Sequence, residues 1–186
     1  MNPNRNRTSQ MKRTDFAESP CPIARSLGRV GEWWSILILR DAFYGMTRFD
    51  EFEKSLKIAP NILTRRLADL VEAGLLERRQ YNARPPRYEY LLTETGRSFK
   101  PVLYSFIAWG NLNFAPEGAS VEVIDRETGK PAVPMLADAN TGLPIDDARY
   151  GLAPGPAAGE GMRTRLAKAA ERANQAGCPQ QAAAPS

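Results

Sequence analysis

Apolar and polar positions alternate with a helical period just after residue 59. Leu63, Leu67 and Leu70 recur at i, i+4 and i+7, which places them on one face of an α-helix. Pro60 suits the first helical position, because its missing N–H would be unpaired there. Gly74 suits the end of the helix, because glycine accepts the positive φ that often follows a last turn. The pattern predicts a short helix with one buried face.

Polar side chains occupy the rest of this predicted helix. Asn61, Thr64 and Arg65 fall away from the leucine stripe, and Arg66 flanks it. These residue types hydrogen-bond base edges and phosphates in DNA. We expect Asn61 and Arg65 to contact base edges, and Thr64 and Arg66 to contact phosphates. Taken alone, the pattern fits a solvated polar face equally well, and Arg66 could instead hold the fold through a carboxylate.

A β-hairpin is predicted directly after this helix. Residues 75–81 have the composition of a strand, and residues 88–92 alternate enough to form the return strand. The connection between them is rich in proline and basic residues. We expect Arg79, Arg84 and Arg87 to contact phosphates or the minor groove, although an ordinary charged hairpin would have a similar sequence. Helix, hairpin and basic tip together predict a winged helix-turn-helix.

Two helices are predicted near the start of the chain. Residues 23–30 form a short helix limited by glycines, and residues 32–43 are strongly apolar. Trp33 and Leu37 belong to a helically spaced set in the second segment. We therefore expect the Trp–Leu face to form the centre of the core.

A short segment and a third helix complete the predicted helix-turn-helix. Residues 47–49 are expected to add a third strand to the wing sheet. Asp50 resembles an N-cap, with Glu53 three residues later in the spacing of a capping box. The helix over residues 51–57 would bury Phe52 and be the first helix of the motif.

A last large helix is predicted over residues 94–114, with Thr93 as its cap and a kink at Pro101. It is apolar around much of its circumference, so it needs a partner. A second copy related by C2 symmetry is the simplest one. The residues expected to form the dimer interface are Phe99, Leu103, Phe106 and Ile107. A small-ligand pocket beside these helices is an alternative use of the aromatic residues, but no polar groups converge there to name a ligand.

The two ends of the chain differ in character from its middle. Residues 1–20 are polar and predict a flexible arm. Residues 116–158 contain the pattern D-x-x-T-G-x-P twice, which predicts a small β-rich extension with two β-turns. Residues 159–186 are rich in Ala, Gly, Pro and Gln and predict a disordered tail, in which residues 162–176 could be transiently helical.

The charge distribution supports a nucleic-acid partner. The 186 residues carry a formal net charge of +4, and residues 21–115 alone hold fourteen basic and ten acidic residues, again +4. From Lys57 to Arg87 there are seven basic residues against three acidic ones. Such a concentration is what binding to a phosphate backbone requires.

Several classes of protein are disfavoured by composition. The chain has no histidine, which removes His-based catalysis and His metal ligands. The two cysteines, Cys21 and Cys178, are far apart and form no CxxC motif. No apolar run approaches the roughly 20 residues of a membrane span, and no signal peptide is evident. We expect a cytoplasmic protein without membrane contact, catalytic activity, cofactor or bound metal.

Over residues 21–115 the chain resembles transcriptional regulators of the HxlR type, winged helix proteins related to the MarR group. At Glu32 the family more often has lysine. The resemblance implies a fold of the α+β class, mainly α, in which the N-terminal and last helices pair two protomers. It also implies sequence-specific DNA binding. The matching features are Cys21-Pro22-Ile23, Gly31-Glu32-Trp33, Leu37-Ile38-Leu39, Arg48-Phe49, Ile62-Leu63-Thr64-x-Arg66-Leu67, Gly74-Leu75, Arg78, Pro85-Pro86-Arg87-Tyr88-Glu89-Tyr90-x-Leu92-Thr93-x-x-Gly96, Pro101-Val102 and Trp109-Gly110.

The resemblance also draws attention to Cys21. Some members of the family sense electrophiles or oxidants through a cysteine at this position, near the dimer interface. A helix N-terminus and the nearby Arg25 would favour the thiolate. The alternative is a buried or unreactive cysteine, and Cys178 is expected to be an unimportant thiol in the tail.

The predicted function is therefore a homodimeric transcriptional regulator, with repression preferred, on a pseudo-palindromic operator in double-stranded DNA. Two recognition helices would enter successive major grooves about 34 Å apart. An oxidant, an electrophile or another small molecule would be the inducer. The alternative is a winged helix that serves as a protein-interaction module without specific DNA binding.

Overall fold

The computed structural model describes residues 19, 21–146 and 149–176. Four helices precede a two-stranded antiparallel sheet, and three helices follow it. The mainly helical winged helix-turn-helix predicted from the sequence is confirmed. The elements are α1 (Pro22–Val30), α2 (Trp33–Phe43), α3 (Phe49–Leu56), α4 (Pro60–Glu72), β1 (Leu76–Ala83), β2 (Pro86–Leu92), α5 (Glu94–Arg97), α6 (Lys100–Phe114) and α7 (Glu160–Ala176).

The core forms where α4 meets α2 and α3. Leu63, Leu67 and Leu70 are fully buried, as predicted. They belong to the same cluster as Leu39 of α2 and Phe52 of α3. Because each buried leucine or phenylalanine contributes about 1.5–3 kcal/mol relative to exposure, this cluster fixes how the two helices of the helix-turn-helix pack.

The prediction that Trp33 lies at the centre of the core is wrong. Its side chain is 70% exposed, whereas Ser35, Ile38 and Leu39 are buried. Helix α2 is apolar on nearly every side, so its sequence period does not define one inner face. Contact with α4 and the sheet determines which face of α2 is buried. Trp34 packs against the edge of the core.

Helix α3 begins two residues earlier than predicted, at Phe49. Neither Asp50 nor Glu53 caps it. Instead, Glu51 Oε2 accepts hydrogen bonds from the backbone N–H groups of Thr47 and Arg48, each at 2.8 Å. The capping role thus passes to a glutamate inside the first turn, which reaches back to the segment before the helix.

The predicted third strand is reduced to one bridge. The Thr47 carbonyl oxygen accepts the N–H of Tyr90 at 2.7 Å, and Arg48 forms a single antiparallel bridge with Glu89. These contacts join the start of α3 to β2. The Glu51 side chain therefore stabilises the same segment that anchors the wing.

The hairpin is longer than predicted. Strands β1 and β2 pair from Leu76 with Leu92 to Ala83 with Pro86, with an irregularity between Gln80 and Asn82. Most of the predicted Pro-rich connection therefore belongs to the strands, and only residues 84–85 form the turn.

The prediction of a single kinked helix over residues 94–114 is wrong. Thr93 does cap a helix, since its hydroxyl oxygen accepts the N–H of Gly96 at 3.0 Å. That helix is the short α5, and a second helix, α6, starts at Lys100. Pro101 lacks an N–H, so it fits the first turn of a new helix better than the interior of a long one.

Residues 116–146 contain the two predicted turns. Asp125 accepts the N–H of Glu127, and Asp138 accepts the N–H of Asn140. These bonds are the largest cause of the lowered pKa of each aspartate. The short strands expected beside the turns are single bridges, Ile124 with Pro131 and Ala137 with Pro144.

The structure places residues 160–176 in helix α7, which includes the segment that we considered transiently helical. This 17-residue helix is longer than the segment that we considered transiently helical. The predicted flexible arm, apart from Ser19, and the last ten residues lie outside the described residues.

The Glu51 cap generates a pH prediction. Backbone N–H groups, chiefly that of Arg48 and then that of Thr47, lower the pKa of the Glu51 carboxyl below its ordinary value of 4.5. A carboxyl whose pKa is lower in the folded state stabilises the fold above its unfolded pKa and loses that effect as pH falls through the folded pKa. Because Glu51 is exposed and solvent screens its charge, Glu51→Ala should lower the free energy of unfolding at pH 7 by roughly 0.5–1 kcal/mol, the lower part of the range for a lost helix cap.

Urea unfolding at a series of pH values measures this cost, with Glu53→Ala as the control because Glu53 is not the cap. We expect the difference between wild type and Glu51→Ala to be constant near neutrality and to shrink below about pH 4.5. A cost that does not change with pH, or one matched by Glu53→Ala, would contradict the capping role.

Candidate nucleic-acid interface

Helix α4 presents a polar face to solvent, opposite the buried leucines. Asn61, Thr64 and Arg65 are all exposed on it, as the sequence pattern predicts. The Thr64 hydroxyl donates to the Pro60 carbonyl oxygen at 2.8 Å, so its oxygen can still accept a hydrogen bond. Within the described residues, Arg65 has no carboxylate partner. The face therefore carries a free cation beside amide and hydroxyl groups.

The turn before α4 holds this face in position. Lys57 ends α3 in the left-handed conformation, with φ of 49°. Ile58 follows and is buried in the core cluster. Pro60 then begins α4. The buried isoleucine thus anchors the short connection between the two helices of the motif.

Arg66 does not belong to the exposed face. Its side chain is 3% exposed. Its Nη1 lies 2.7 Å from Asp69 Oδ2, and its Nη2 lies 3.6 Å from Glu32 Oε1. Position 66 is three residues after Leu63, so the side chain lies beside the leucine stripe. Of its two expected roles, holding the fold through carboxylates is the one that fits, and the predicted phosphate contact is not supported.

The three predicted wing arginines differ in their surroundings. Arg84 and Arg87 lie exposed at the hairpin tip, and neither has a carboxylate partner among the described residues. Arg79 is also exposed, but its Nε donates to Glu89 Oε1 at 2.8 Å. The ion pair partly neutralises Arg79, so the tip carries the stronger positive field.

Two further arginines were missed as candidate DNA contacts. The Arg78 guanidinium lies 3.5 Å from the centroid of the Tyr88 ring, and that of Arg48 lies 4.9 Å from the centroid of Tyr81. Stacking on an aromatic ring orients a guanidinium without neutralising its charge. The Arg–Tyr alternation on the two strands was the available signal. Only the register of the hairpin brings Arg78 to Tyr88, and only the packing of the segment before α3 against the wing brings Arg48 to Tyr81.

A groove of about 540 Å³ separates the wing from the start of α3. Arg48 and Arg87 line it together with Tyr81, Tyr88 and the one acidic residue, Asp50. The groove continues the basic surface of the hairpin tip toward the helix-turn-helix. A nucleic-acid backbone crossing the wing would meet both cations.

Cys21 directly precedes α1 and is half-buried. Its backbone N–H donates to Ser19 Oγ at 3.2 Å. Arg25, which was expected to favour the thiolate, donates its Nε to the Ser19 carbonyl oxygen at 2.7 Å. Cys178 lies outside the described residues.

The residues predicted for dimerisation do not share one surface. Leu103 is 7% exposed, and Phe99 packs against the core of its own protomer. Ile107 is half-buried, whereas Phe106 is 48% exposed. The exposed stripe of α6 instead combines Phe106 with Val102 and Trp109, at i−4 and i+3. Two of the four predicted residues, Phe99 and Leu103, are therefore largely occupied within the protomer.

Other kinds of site are not evident in the described part of the chain. It contains no group of three or more Cys, Asp or Glu residues that could hold a metal ion. None of the helices described there is both long and apolar enough to cross a membrane. The exposed polar face of α4 and the basic wing together form the candidate binding surface.

Comparison with known proteins agrees with this geometry. Residues 29–118 match the model of the HxlR-like helix-turn-helix family. A relative from Mycobacterium tuberculosis, named as an uncharacterized HTH-type transcriptional regulator, is 36% identical over 146 residues, covering 78% of this chain and 90% of the relative. The chain belongs to the HxlR-like helix-turn-helix family. The aligned 146 residues exceed the 90 of the family match (118 − 29 + 1), so the likeness includes part of the flanking sequence.

Solved structures extend the comparison. A protein from Pseudomonas aeruginosa, provisionally named a transcription factor, is 56% identical, with a TM-score of 0.57; the match covers 78% of this chain and all of that one. A second protein with the same provisional name is 37% identical, with a TM-score of 0.68 and coverage of 75% and 99%. As an HxlR-like protein, the chain is related to transcriptional regulators rather than to enzymes.

Proposed function

We propose that this HxlR-like protein is a homodimeric, sequence-specific DNA-binding repressor of transcription that acts in the cytoplasm. The observation that carries the proposal is the exposed polar face of α4, held rigidly by buried leucines beside a basic hairpin. In helix-turn-helix proteins the second helix of the motif enters the major groove, and α4 is that helix here. A dimer that covers two adjacent major grooves would block a promoter that it overlaps, which favours repression as the mode of regulation.

Helix α4 supplies the sequence-reading contacts in this proposal. Asn61 and Arg65 reach base edges in the major groove, where Asn pairs with adenine and Arg with guanine. Thr64 donates to a phosphate oxygen when its hydroxyl turns away from the Pro60 carbonyl oxygen, which accepts it in the unbound protein. Because α4 is packed on one whole side, it enters the groove as a rigid element and loses little entropy on binding.

The wing supplies contacts that do not depend on base sequence. Arg84 and Arg87 at the tip meet phosphates or the minor groove. Arg79 contributes less because Glu89 holds it. Arg48 and Arg78, oriented on tyrosine rings, add phosphate contacts on either side of the tip.

Dimerisation is proposed through the exposed apolar residues of α6 and α1. Phe106 and Trp109 on α6 and Ile23 and Leu27 on α1 are all at least about half exposed. Exposed apolar patches of this kind mark interaction sites, and a twofold axis makes one patch serve both partners. The two α4 helices would then lie about 34 Å apart on a pseudo-palindromic site.

Gel shifts with two variants test the DNA contacts. Arg65→Ala should reduce discrimination between the operator and random DNA by about 1–3 kcal/mol. Arg84→Ala should weaken binding to both DNAs alike and reduce the salt slope by about one. Arg163→Ala, an exposed arginine on α7 far along the chain, is the control and should leave both affinities unchanged.

Equal losses on operator and random DNA for Arg65→Ala would contradict the base-reading role. The operator would first be selected from random-sequence DNA by the wild-type protein. If no sequence is enriched and binding does not depend on salt, the proposal fails and a protein-interaction module becomes the better account of the fold.

A second prediction concerns the dimer. Phe106→Glu places a charge in the proposed interface and should convert the protein to folded monomers, as sedimentation velocity and circular dichroism would show. Leu103→Ala leaves a cavity inside the protomer and should lower the free energy of unfolding by about 2–5 kcal/mol, whatever the oligomeric state. A Phe106→Glu protein that stays dimeric would rule out this interface.

Redox sensing by Cys21 is the third part of the proposal. Its position before α1 places it next to a helix proposed to form the dimer interface. Oxidation of the wild-type protein with diamide should release operator DNA, and reductant should restore binding. Cys21→Ser should resist diamide, whereas Cys178→Ser should respond as wild type does. Release that persists in Cys21→Ser would exclude this sensor.

A further inference from the structure

A second cavity of about 320 Å³ lies between the end of α2, the start of α6 and residues 121–126. Its volume is at the lower end of the range for small-molecule sites, about 300–1,000 Å³. Three cations and three aromatic rings converge on it. These residues are Arg40, Lys100, Arg126, Phe43, Tyr44 and Tyr104.

The charges around the cavity favour an anion. Arg40 is paired with the buried Asp41 carboxylate at 2.7 Å, so its charge is largely compensated. Neither Lys100 nor Arg126 has a carboxylate partner among the described residues. Glu122 is the one carboxylate in the lining. Two uncompensated cations therefore face one acid, which leaves an excess of positive charge.

The aromatic side chains favour a flat ring in the ligand. Lys100 Nζ lies 5.4 Å from the centroid of the Tyr104 ring, and the Arg40 guanidinium lies 5.9 Å from that of Tyr44. Each of these two tyrosine rings thus has a cation beside it. A planar ligand can stack on a tyrosine while its carboxylate meets the neighbouring cation. Leu103 and Ile107 supply the apolar part of the lining.

We propose that this cavity binds a small planar aromatic carboxylate. The sequence alone gave no reason to expect converging polar groups beside the aromatic residues. Arg126 reaches the site from the extension, eight residues beyond the end of the family match at residue 118. The site is thus a property of this chain's extension as well as of the common fold.

The location of the cavity suggests how ligand binding would regulate DNA binding. Helix α2 ends at the cavity, and three residues after Tyr44 the Thr47 carbonyl bonds the wing strand at Tyr90. Helix α6 carries the apolar stripe proposed for dimerisation. A ligand that contacts both helices can shift their arrangement only if it binds one arrangement more tightly. This regulatory use rests on the proposed function, whereas binding itself does not.

Calorimetric titration of the full chain without DNA tests the site. The probes are 2-naphthoate, its neutral counterpart 2-naphthamide, and the non-aromatic cyclohexanecarboxylate. We expect 2-naphthoate to bind about tenfold more tightly than either of the others, because each lacks one of the two recognised features. Equal affinity for 2-naphthoate and 2-naphthamide, or no binding of 2-naphthoate, would overturn the proposal.

Variants of the lining residues test whether 2-naphthoate binds in this cavity. Lys100→Gln and Arg126→Gln should each weaken 2-naphthoate binding about fivefold or more while leaving 2-naphthamide unaffected. Tyr104→Leu should weaken both aromatic probes. Lys168→Gln on α7 is the matched control, since Lys168 is an exposed lysine on a different helix. Undiminished 2-naphthoate binding in Lys100→Gln and Arg126→Gln would place the ligand elsewhere, and circular dichroism would confirm that each variant is folded.

Gel shifts with and without 2-naphthoate then separate the two proposals. A change in operator affinity that Arg126→Gln abolishes would support regulation through this cavity. Probe binding with an unchanged operator affinity would support the site and reject its regulatory role. Absence of specific DNA binding would reject the proposed function and leave the calorimetric result standing.

Discussion

Burial of the leucine face of α4 is the constraint on which the rest of the structure depends. Leu63, Leu67 and Leu70 are fully buried among residues of α2 and α3. Once that face is buried, the helix can present only its opposite side to solvent. The polar residues Asn61 and Arg65 are therefore displayed by packing rather than by any contact of their own, and the same packing encloses Arg66.

Ion pairing separates the structural cations from those left for a ligand. Arg66 and Arg79 each have a carboxylate within 2.8 Å, and Arg40 is paired with Asp41. Arg65, Arg84 and Arg87 have no such partner in the part of the chain that is described. The net charge of the whole chain hides this distinction. Binding depends on where positive charge is uncompensated, since a paired guanidinium offers a phosphate little additional attraction.

The segment before α3 is one of the links between the wing and the rest of the domain, beside the burial of Leu76 in the core. Thr47 bonds β2, and Glu51 holds the N–H groups of Thr47 and Arg48. The end of α2 precedes this segment and also lines the cavity beside α6. Residues 44–51 thus join one wall of the cavity to strand β2 of the wing.

Elements with a strong apolar period or distinctive local chemistry could be predicted from the residues alone. The leucine stripe of α4, the hairpin, the Thr93 cap and the turns at Asp125 and Asp138 follow from local rules that act within a few residues. Exposure of Asn61, Thr64 and Arg65 followed from the stripe, since a residue off a buried helical face lies in solvent. The family could be identified from motifs over residues 21–115.

Features that depend on a choice between similar faces or partners could not be predicted and are set by long-range packing. Helix α2 is apolar on nearly every side, so contact with α4 rather than its own period left Trp33 exposed. The approach of Glu32 to Arg66 is set by how the start of α2 packs against α4, and the meeting of Arg78 with Tyr88 is set by the register of the hairpin. The same is true of Leu103, which the protomer covers, and of Arg126, which residues 121–126 bring to α2 and α6. Such contacts depend on the packing of elements or on strand register, and the apolar period of a single segment does not specify them.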